Sequence, residues 1–165
     1  MMEFQIGDKV EVIGNDKGFE GSYYTAKVIS KKNAYRYKVE YETLLNEDQF
    51  EPLKEVVNSN YLRPMPPNVP EICYSLDEWV DAYENDGWWF GLIDGKFGSD
   101  YFVYFPTTQE EKPFPLDKLR IHHEWSNSKR KWEPCEVYQQ RIENTRNFSR
   151  GGNNASGSNN DNLSF

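Results

Sequence analysis

Apolar and polar residues alternate with a period of two along much of the chain, which is typical of half-buried β-strands. In residues 23–30, Tyr24, Ala26 and Val28 fall on one face while Tyr23 falls on the other. These features predict an all-β fold. Similar patterns, separated by turns rich in Gly, Asn and Asp, predict further strands at residues 9–13, 35–41, 56–57, 79–84, 88–93, 101–105 and 114–121.

The strand pattern occurs twice. In each copy an aromatic pair opens one strand, the next strand ends in an aromatic residue, and Leu-Arg closes the unit. Tyr24 and Tyr41 lie 17 residues apart in the first copy. Trp89 and Phe105 lie 16 residues apart in the second, so the copies share a register. Residues 77–84 alone would also fit a helix, but their alignment with the first strand favours a strand. The repeat therefore predicts two small β domains.

Proline content suggests where the two domains meet. We expect a first domain at residues 4–65, a proline-rich linker at 66–70 and a second domain at 71–135. Proline fixes the backbone and cannot join a central strand, so a stiff linker should hold the two domains as one packed unit. A C-terminal extension at 136–165 ends in a Gly-, Asn- and Ser-rich stretch and is predicted to be largely disordered.

The negative charge is concentrated in the second half of the chain. The net charge is −8, and residues 66–135 contribute −6 of it, from 13 acidic and 7 basic side chains. Such a surface repels nucleic-acid phosphates and attracts basic partners, although an acidic surface can also serve solubility alone. We therefore expect a basic peptide as the partner and regard nucleic acid as unfavourable.

The sequence offers little for catalysis, cofactors or membranes. The pair His122-His123 lies beside Glu124, but no nucleophile or third ligand stands at a suitable spacing. The two cysteines, Cys73 and Cys135, lack metal-site spacing and fit a reducing compartment such as the cytosol or nucleus. No apolar segment is long enough for a membrane span, and the start of the chain lacks a signal-peptide core. We expect a soluble, intracellular, monomeric protein that is not an enzyme and binds no cofactor or metal.

The aromatic content points to ligand binding. Aromatic residues make up 16% of the chain, more than two small β cores need. Several aromatic rings together attract a methylated ammonium, and a carboxylate can accept its remaining N–H. In the first copy, the candidate rings are Phe19, Tyr24 and Tyr41, and the candidate carboxylates are Glu47 and Asp48. The alternative is that Tyr24 and Tyr41 are core residues.

Several motifs resemble those of the plant Agenet domain. They include FQIGDKVEV at residues 4–12, GFEGSYYTAKV at 18–28 and YKVEYETLL at 37–45. In the second copy, DGWWFGLI at 86–93 and LRIH at 119–122 resemble the second member of a tandem Agenet pair. The resemblance covers about residues 4–132. It implies two tandem Tudor-like, bent five-stranded β-barrels, similar to those of plant heterochromatin readers and of proteins that combine Agenet repeats with a plant domain of unknown function.

The resemblance also implies site residues. The family's aromatic cage corresponds here to Phe19, either Tyr23 or Tyr24, and Tyr41. Closeness to Tyr41 in the sequence adds Asp48 as the expected carboxylate of this cage. In the second copy the matching set is Tyr83, Trp89 and Phe105. The acidic residues around the second-copy turn would contact the free amino terminus or unmodified basic residues of a bound peptide; they are Asp81, Glu84 and Asp86.

Three functions remain open at this stage. The resemblance favours a nuclear chromatin reader that binds a methylated lysine of a histone tail, with histone H3 dimethylated at its ninth residue as the first expectation. A general interaction scaffold for unmodified or arginine-methylated basic peptides is the alternative. RNA binding occurs among proteins with related barrels, but the acidic second copy argues against it.

Overall fold

The computed structural model describes residues 4–133. Two copies of a five-stranded antiparallel unit are followed by a small hairpin, so the expected all-β fold with two similar units is confirmed. The first copy comprises β1 (Lys9–Ile13), β2 (Ser22–Asn33), β3 (Arg36–Leu45), β4 (Pro52–Asn58) and β5 (Leu62–Pro64). The second comprises β6 (Trp79–Glu84), β7 (Gly87–Phe97), β8 (Asp100–Phe105), β9 (Glu110–Pro115) and β10 (Leu119–Ile121). The hairpin comprises β11 (Glu124–Ser126) and β12 (Lys131–Glu133).

Each copy has the same topology. Its first four strands pair in sequence order, and its fifth strand returns to pair with the first after one turn of 3-10 helix. The pairing register shifts after Val28 in the first copy and after Ile93 in the second. Both positions lie four residues beyond Tyr24 and Trp89, respectively, and such bulges bend a sheet sharply. The segment between β5 and β6, which contains the predicted linker, has no strand.

The two copies share one continuous sheet. Strand β2 pairs with β7 through Ser22 opposite Trp89 and Tyr23 opposite Trp88. The Phe90 N–H also donates to the Gly21 carbonyl at 2.8 Å. Backbone pairing across the junction therefore fixes the relative position of the copies, in addition to the stiff linker that the sequence predicted.

Each copy has its own apolar core, because the strands alternate as the sequence predicted. Val39 in the first copy and Val103 in the second are fully buried at equivalent positions of their third strands. Burial of such a side chain contributes about 1.5–3 kcal/mol. A third cluster fills the junction between the copies and comprises Tyr23, Trp79, Phe90 and Leu92.

A buried ionic network also crosses the junction. Glu11 on β1 accepts hydrogen bonds from Arg63 on β5 at 2.9 Å and from Arg120 on β10 at 2.7 Å. Arg120 then donates to Asp81 on β6 at 2.9 Å, and Asp81 also contacts His122 Nδ1 at 2.7 Å. We call these residues the junction network. Charges from both copies neutralise one another there, because an uncompensated buried charge would be costly.

The protonation states in the junction network follow from its geometry. Burial would raise the pKa of Asp81, but His122, Arg120 and Arg63 lower that pKa to about 2. Burial would lower the pKa of His122, but Asp81 and Glu124 raise it. A carboxylate faces each ring nitrogen, since Glu124 lies 2.8 Å from His122 Nε2. Both contacts favour the charged imidazolium.

The β11–β12 hairpin covers this network. Trp132 lies 5.1 Å from the Arg63 guanidinium, and the carbonyl of His123 accepts from Arg63 at 2.7 Å. Asn127 in the hairpin turn donates to the Asn60 carbonyl of the first copy at 3.1 Å. The hairpin thus follows the second copy in sequence but packs against the first. The predicted extension at residues 136–165 lies outside the described residues.

Candidate peptide-binding site

A pocket of about 560 Å³ opens in the first copy, between the β1–β2 loop and strand β4. Phe19, Tyr24 and Tyr41, the three rings expected from the sequence, all line it. Asp16 and Glu55 line it as well. Aromatic faces and carboxylates therefore surround one cavity, and the structure brings together rings that lie far apart in the sequence.

The tight β1–β2 loop presents Phe19. A Cβ added to Gly14 would lie only 2.0 Å from the Phe19 carbonyl oxygen, so a larger residue at position 14 would displace the loop. The Ser22 hydroxyl donates to the same carbonyl at 2.6 Å, and the Phe19 N–H donates to the Asp16 carbonyl at 2.9 Å. The Phe19 side chain is 46% exposed, so its ring forms a wall of the pocket rather than part of the core.

Tyr24 is held by the second copy. Its hydroxyl donates to the Asn85 carbonyl at 2.8 Å, and its ring makes an edge contact with Trp89 at 6.2 Å between centroids. A Cβ on Gly87 would lie 2.6 Å from the Tyr24 ring, so only glycine allows this approach. Trp89 also stacks with Phe19 at 6.3 Å. The β6–β7 turn and Trp89 therefore support two of the three rings from behind.

Tyr41 binds one of the pocket carboxylates. Its hydroxyl donates to Glu55 Oε2 at 2.5 Å. Burial raises the pKa of Tyr41, and Glu55 and then Asp16 raise it further, so the phenol stays protonated. A protonated Tyr41 donates to one oxygen of Glu55 and so orients this carboxyl group beside the rings.

The carboxylates that line the pocket, Asp16 and Glu55, are not the two expected from the sequence. Glu47 and Asp48 are exposed in the β3–β4 turn and do not belong to the residues that line the pocket. Asp48 instead accepts a hydrogen bond from the Phe50 N–H at 2.9 Å. Their closeness to Tyr41 in sequence was misleading, because the chain turns away before it returns as β4. Glu55 could have been found from strand alternation, since it shares a strand face with buried Val57.

The structure also distinguishes Tyr23 from Tyr24. The two side chains lie on opposite faces of β2, as alternation predicted, and only Tyr24 lines the pocket. Tyr23 is buried at the junction, with the Arg63 guanidinium 3.6 Å from its ring centroid. Because this face of Tyr23 already holds a cation of the protein itself, Tyr23 is not available as a cage ring.

The matching rings of the second copy make different contacts from those of the first. Phe105 packs against Phe114 in the second core, whereas Tyr24 and Tyr41, which are equally buried in the first core, also line the pocket. Trp89 turns towards the rings of the first copy, and Tyr83 packs against Trp88 at 5.1 Å. Tyr83 also lies 5.1 Å from the Lys118 ammonium. These three rings therefore contact different neighbours, and their role as peptide contacts stays a prediction.

The acidic residues expected to contact a peptide differ in their placement. Asp81 is fully buried in the junction network, where Arg120 and His122 contact its carboxylate. Glu84 is partly exposed and pairs with Lys112 at 3.1 Å. Asp86 is exposed in the β6–β7 turn, beside the ring of Tyr24. Glu84 and Asp86 therefore remain as candidate surface contacts near the pocket.

Other kinds of site gain no support from the described part of the chain. Within residues 4–133, no group of three or more His, Cys, Asp and Glu side chains could hold a metal ion. His122 is fully occupied by the junction network, and His123 Nδ1 lies 3.2 Å from the Ile121 carbonyl oxygen. No helix among these residues is long and apolar enough to cross a membrane.

An aromatic pocket on a pair of bent five-stranded units defines a tandem Tudor-like binding module. The chain belongs to the Agenet family, whose domain model matches residues 7–67. It is 37% identical over 123 residues to Protein AGENET DOMAIN (AGD)-CONTAINING P1 of Arabidopsis thaliana, covering 74% of this chain and 24% of that protein. The chain therefore spans about a quarter of the relative's length.

Solved structures show the same tandem arrangement. The crystal structure of Arabidopsis thaliana AGDP1 AGD34 superposes with a TM-score of 0.73 and 34% identity, covering 79% of this chain and 88% of that chain. The crystal structure of ADCP1 tandem Agenet domain 3-4 gives a TM-score of 0.70 and 32% identity, covering 79% and 86%. Agenet domains are Tudor-like peptide-binding modules of chromatin-associated proteins, and they are not enzymes.

Proposed function

We propose that this chain is a chromatin reader that binds a methylated lysine of a histone tail. The first candidate ligand is histone H3 dimethylated at its ninth residue, and the proposed cage comprises Phe19, Tyr24 and Tyr41. The observation that carries the proposal is that these three rings share one pocket with Asp16 and Glu55. The proposed location is accordingly the nucleus.

The chemistry of the pocket favours a methylated ammonium. Methylation spreads the charge of the ammonium and removes N–H donors, so aromatic faces can replace its water at little cost. Each ring then contributes about 0.5–2 kcal/mol, depending on how completely the cation is desolvated. Glu55 is oriented by Tyr41 and can accept the single N–H of a dimethylated lysine. A trimethylated lysine lacks that N–H and would forgo this hydrogen bond.

The acidic surface beside the pocket supports a basic peptide. Residues 66–135 carry a net charge of −6, and Asp86 lies in the turn that holds Tyr24. Positive residues flanking the methylated lysine would be attracted to this surface, which increases the association rate. The same surface would disfavour RNA, because phosphates and carboxylates repel each other.

Titration calorimetry with a panel of histone peptides tests the proposal. We expect the wild-type chain to bind a dimethylated peptide more tightly than its unmodified form, and Tyr41→Ala to lose at least about tenfold in affinity. Tyr35→Ala is the matched control, because Tyr35 is 60% exposed and does not line the pocket.

Equal binding of modified and unmodified peptides would contradict the reader assignment and favour the interaction scaffold. Preference for arginine-methylated peptides would redirect the proposal to that modification. Preference for RNA over every peptide would exclude both.

A further inference from the structure

The pocket extends beyond the proposed cage. It continues along β4, where the four consecutive residues from Glu55 to Asn58 line it together with Arg36 and Tyr61. Val56 is 47% exposed and Tyr61 is 38% exposed. Cage and extension are parts of one continuous groove, so a ligand in the cage has an apolar path beside it.

The groove runs over the free edge of β4. Glu55 pairs with fully buried Val39, and partners across an antiparallel pair share a face, so Glu55 lies on the core-side face of β4 although its side chain is exposed. Asn58 pairs with exposed Arg36 and, three residues further along the strand, points outward. A groove lined by both faces of a strand must cross its edge. In the described part of the chain, β4 pairs only with β3.

An unpaired strand edge presents backbone N–H and C=O groups that an extended peptide can use. Glu55 and Asp16 both act on Tyr41, and Arg36 lies three residues along the sheet from Glu55, since Arg36 pairs with Asn58. Three residues of extended chain span about 10 Å, and residues three apart point to opposite faces. A peptide whose methylated lysine points inward beside Glu55 therefore directs its third neighbour outward towards Arg36.

We propose that the peptide segment next to the methylated lysine adds to the edge of β4 as a short strand, and that Arg36 and Tyr61 read the residue three positions away. This inference rests on the proposed reader function. It implies a sequence preference beyond the lysine. An acidic or neutral residue is accepted at the third position, and a basic residue is disfavoured there because of Arg36.

Backbone substitution in the ligand tests the added strand. A dimethyl-lysine peptide is prepared as a series in which one backbone N–H at a time is replaced by N–CH3. In a strand pairing, only alternate peptide N–H groups face β4, so we expect losses of about fivefold at every second residue on one side of the lysine and small effects between them. A flat profile would overturn the added strand.

A charge reversal tests the role of Arg36. The peptides carry Glu or Lys three positions before or after the dimethylated lysine. The wild-type chain should prefer Glu on one side, and Arg36→Glu should reverse that preference. Lys32→Glu is the matched control, because it changes the net charge equally from an exposed position of β2 outside the groove. An identical response of the two variants would overturn the assignment of Arg36.

The two levels of the proposal fail differently. If the wild-type chain binds no dimethyl-lysine peptide, the proposed function fails, and the proposal of an added strand at β4 fails with it. If Tyr41→Ala abolishes binding but the N-methyl profile is flat and Arg36→Glu has no specific effect, the cage stands and the β4 edge assignment fails.

Discussion

The two repeats share a fold but differ in the loop that could complete a pocket. In the first repeat, the β1–β2 loop is long enough to place Phe19 beside Tyr24. In the second repeat, β6 and β7 are joined by Asn85 and Asp86 alone, with φ angles of 52° and 64°. This geometry is typical of a tight hairpin turn, which places no side chain over the following strand. The length of this loop therefore decides whether a ring lies over the second strand, as Phe19 lies beside Tyr24 in the first repeat.

The repeats also differ in charge at one equivalent position. Glu55 pairs with Val39 in the first repeat, and Lys112 pairs with Val103 in the second. Lys112 contacts Glu84 at 3.1 Å, so a lysine of the protein itself stands where the first repeat offers a carboxylate. A cationic ligand would be repelled there. The comparison shows how duplicated domains can keep their core positions while the charge at an equivalent surface position is reversed.

The largest contrast should come from truncating one aromatic ring in each repeat. Phe105→Ala removes a buried ring and should lower the free energy of unfolding by about 3–5 kcal/mol, measured by urea denaturation. Phe19→Ala removes a half-exposed ring and should leave stability nearly unchanged while reducing methyl-lysine affinity about tenfold. If Phe19→Ala unfolded the protein by circular dichroism, Phe19 would be a core residue and the contrast would fail.

The next largest effect on peptide affinity should come from neutralising Glu55, whose equivalent in the second repeat is Lys112. Glu55→Gln removes the negative charge beside the rings, and we expect about tenfold weaker binding of a dimethylated peptide, since hydrogen bonds to charged groups contribute about 1.5–3 kcal/mol. Asp48→Asn provides the control, because Asp48 lies in the exposed turn outside the pocket. If calorimetry showed a larger loss of affinity for Asp48→Asn than for Glu55→Gln, the carboxylate that contacts the ligand would be Asp48 in the β3–β4 turn.

The contact through which the second repeat supports the first can be broken by one methyl group. Gly87→Ala places a Cβ 2.6 Å from the Tyr24 ring, so it should displace that ring and weaken methyl-lysine binding several-fold, at a cost of about 1–3 kcal/mol in packing. Gly95→Ala is a matched control on the same strand, because its Cβ would meet only Phe102 at 3.9 Å. Equal affinities of the two variants in fluorescence titrations would show that Tyr24 does not depend on the turn.

The junction network should make stability depend on pH. The pKa of His122 is raised above its ordinary 6.5 in the folded state, so its contribution is fully present below that pH. This contribution is lost as pH rises through the raised folded-state value. Urea denaturation across pH 6–9 should show this decline in the wild-type chain and a weaker decline in His122→Gln. Parallel curves for the two proteins would remove His122 from this role.

The smallest effect should come from the surface charges. Replacing Glu84 and Asp86 with the corresponding amides should lower the affinity for modified and for unmodified peptides by a similar small factor. Binding should also become less dependent on salt, because exposed charges are screened over about 8–10 Å. Titrations at two ionic strengths would check this, and an unchanged salt dependence would leave the acidic second repeat as a solubility feature.

Local patterns in the sequence were enough to predict most of the fold. Alternation placed Tyr23 and Tyr24 on opposite faces, and the internal repeat predicted two similar units. The surroundings of Asp81 could not be predicted in this way, because its partners Arg120 and His122 lie 39 and 41 residues further along the chain. The carboxylate beside Tyr41 was missed for the same reason. Only the pairing of β3 with β4 brings Glu55 to Tyr41, whereas closeness in sequence favoured Glu47 and Asp48.

The shared position of Glu11 has a consequence for how the molecule folds. Glu11 Oε1 accepts from Arg63 within its own repeat, but Arg120 of the other repeat donates to Glu11 Oε2, so this second oxygen gains that partner only when both repeats are in place. In a folding intermediate with only one structured repeat, part of the junction network would be buried without its ionic partners or exposed to water. The repeats should therefore unfold in a single cooperative transition, and the closing of the junction should be a late event that sets the folding rate.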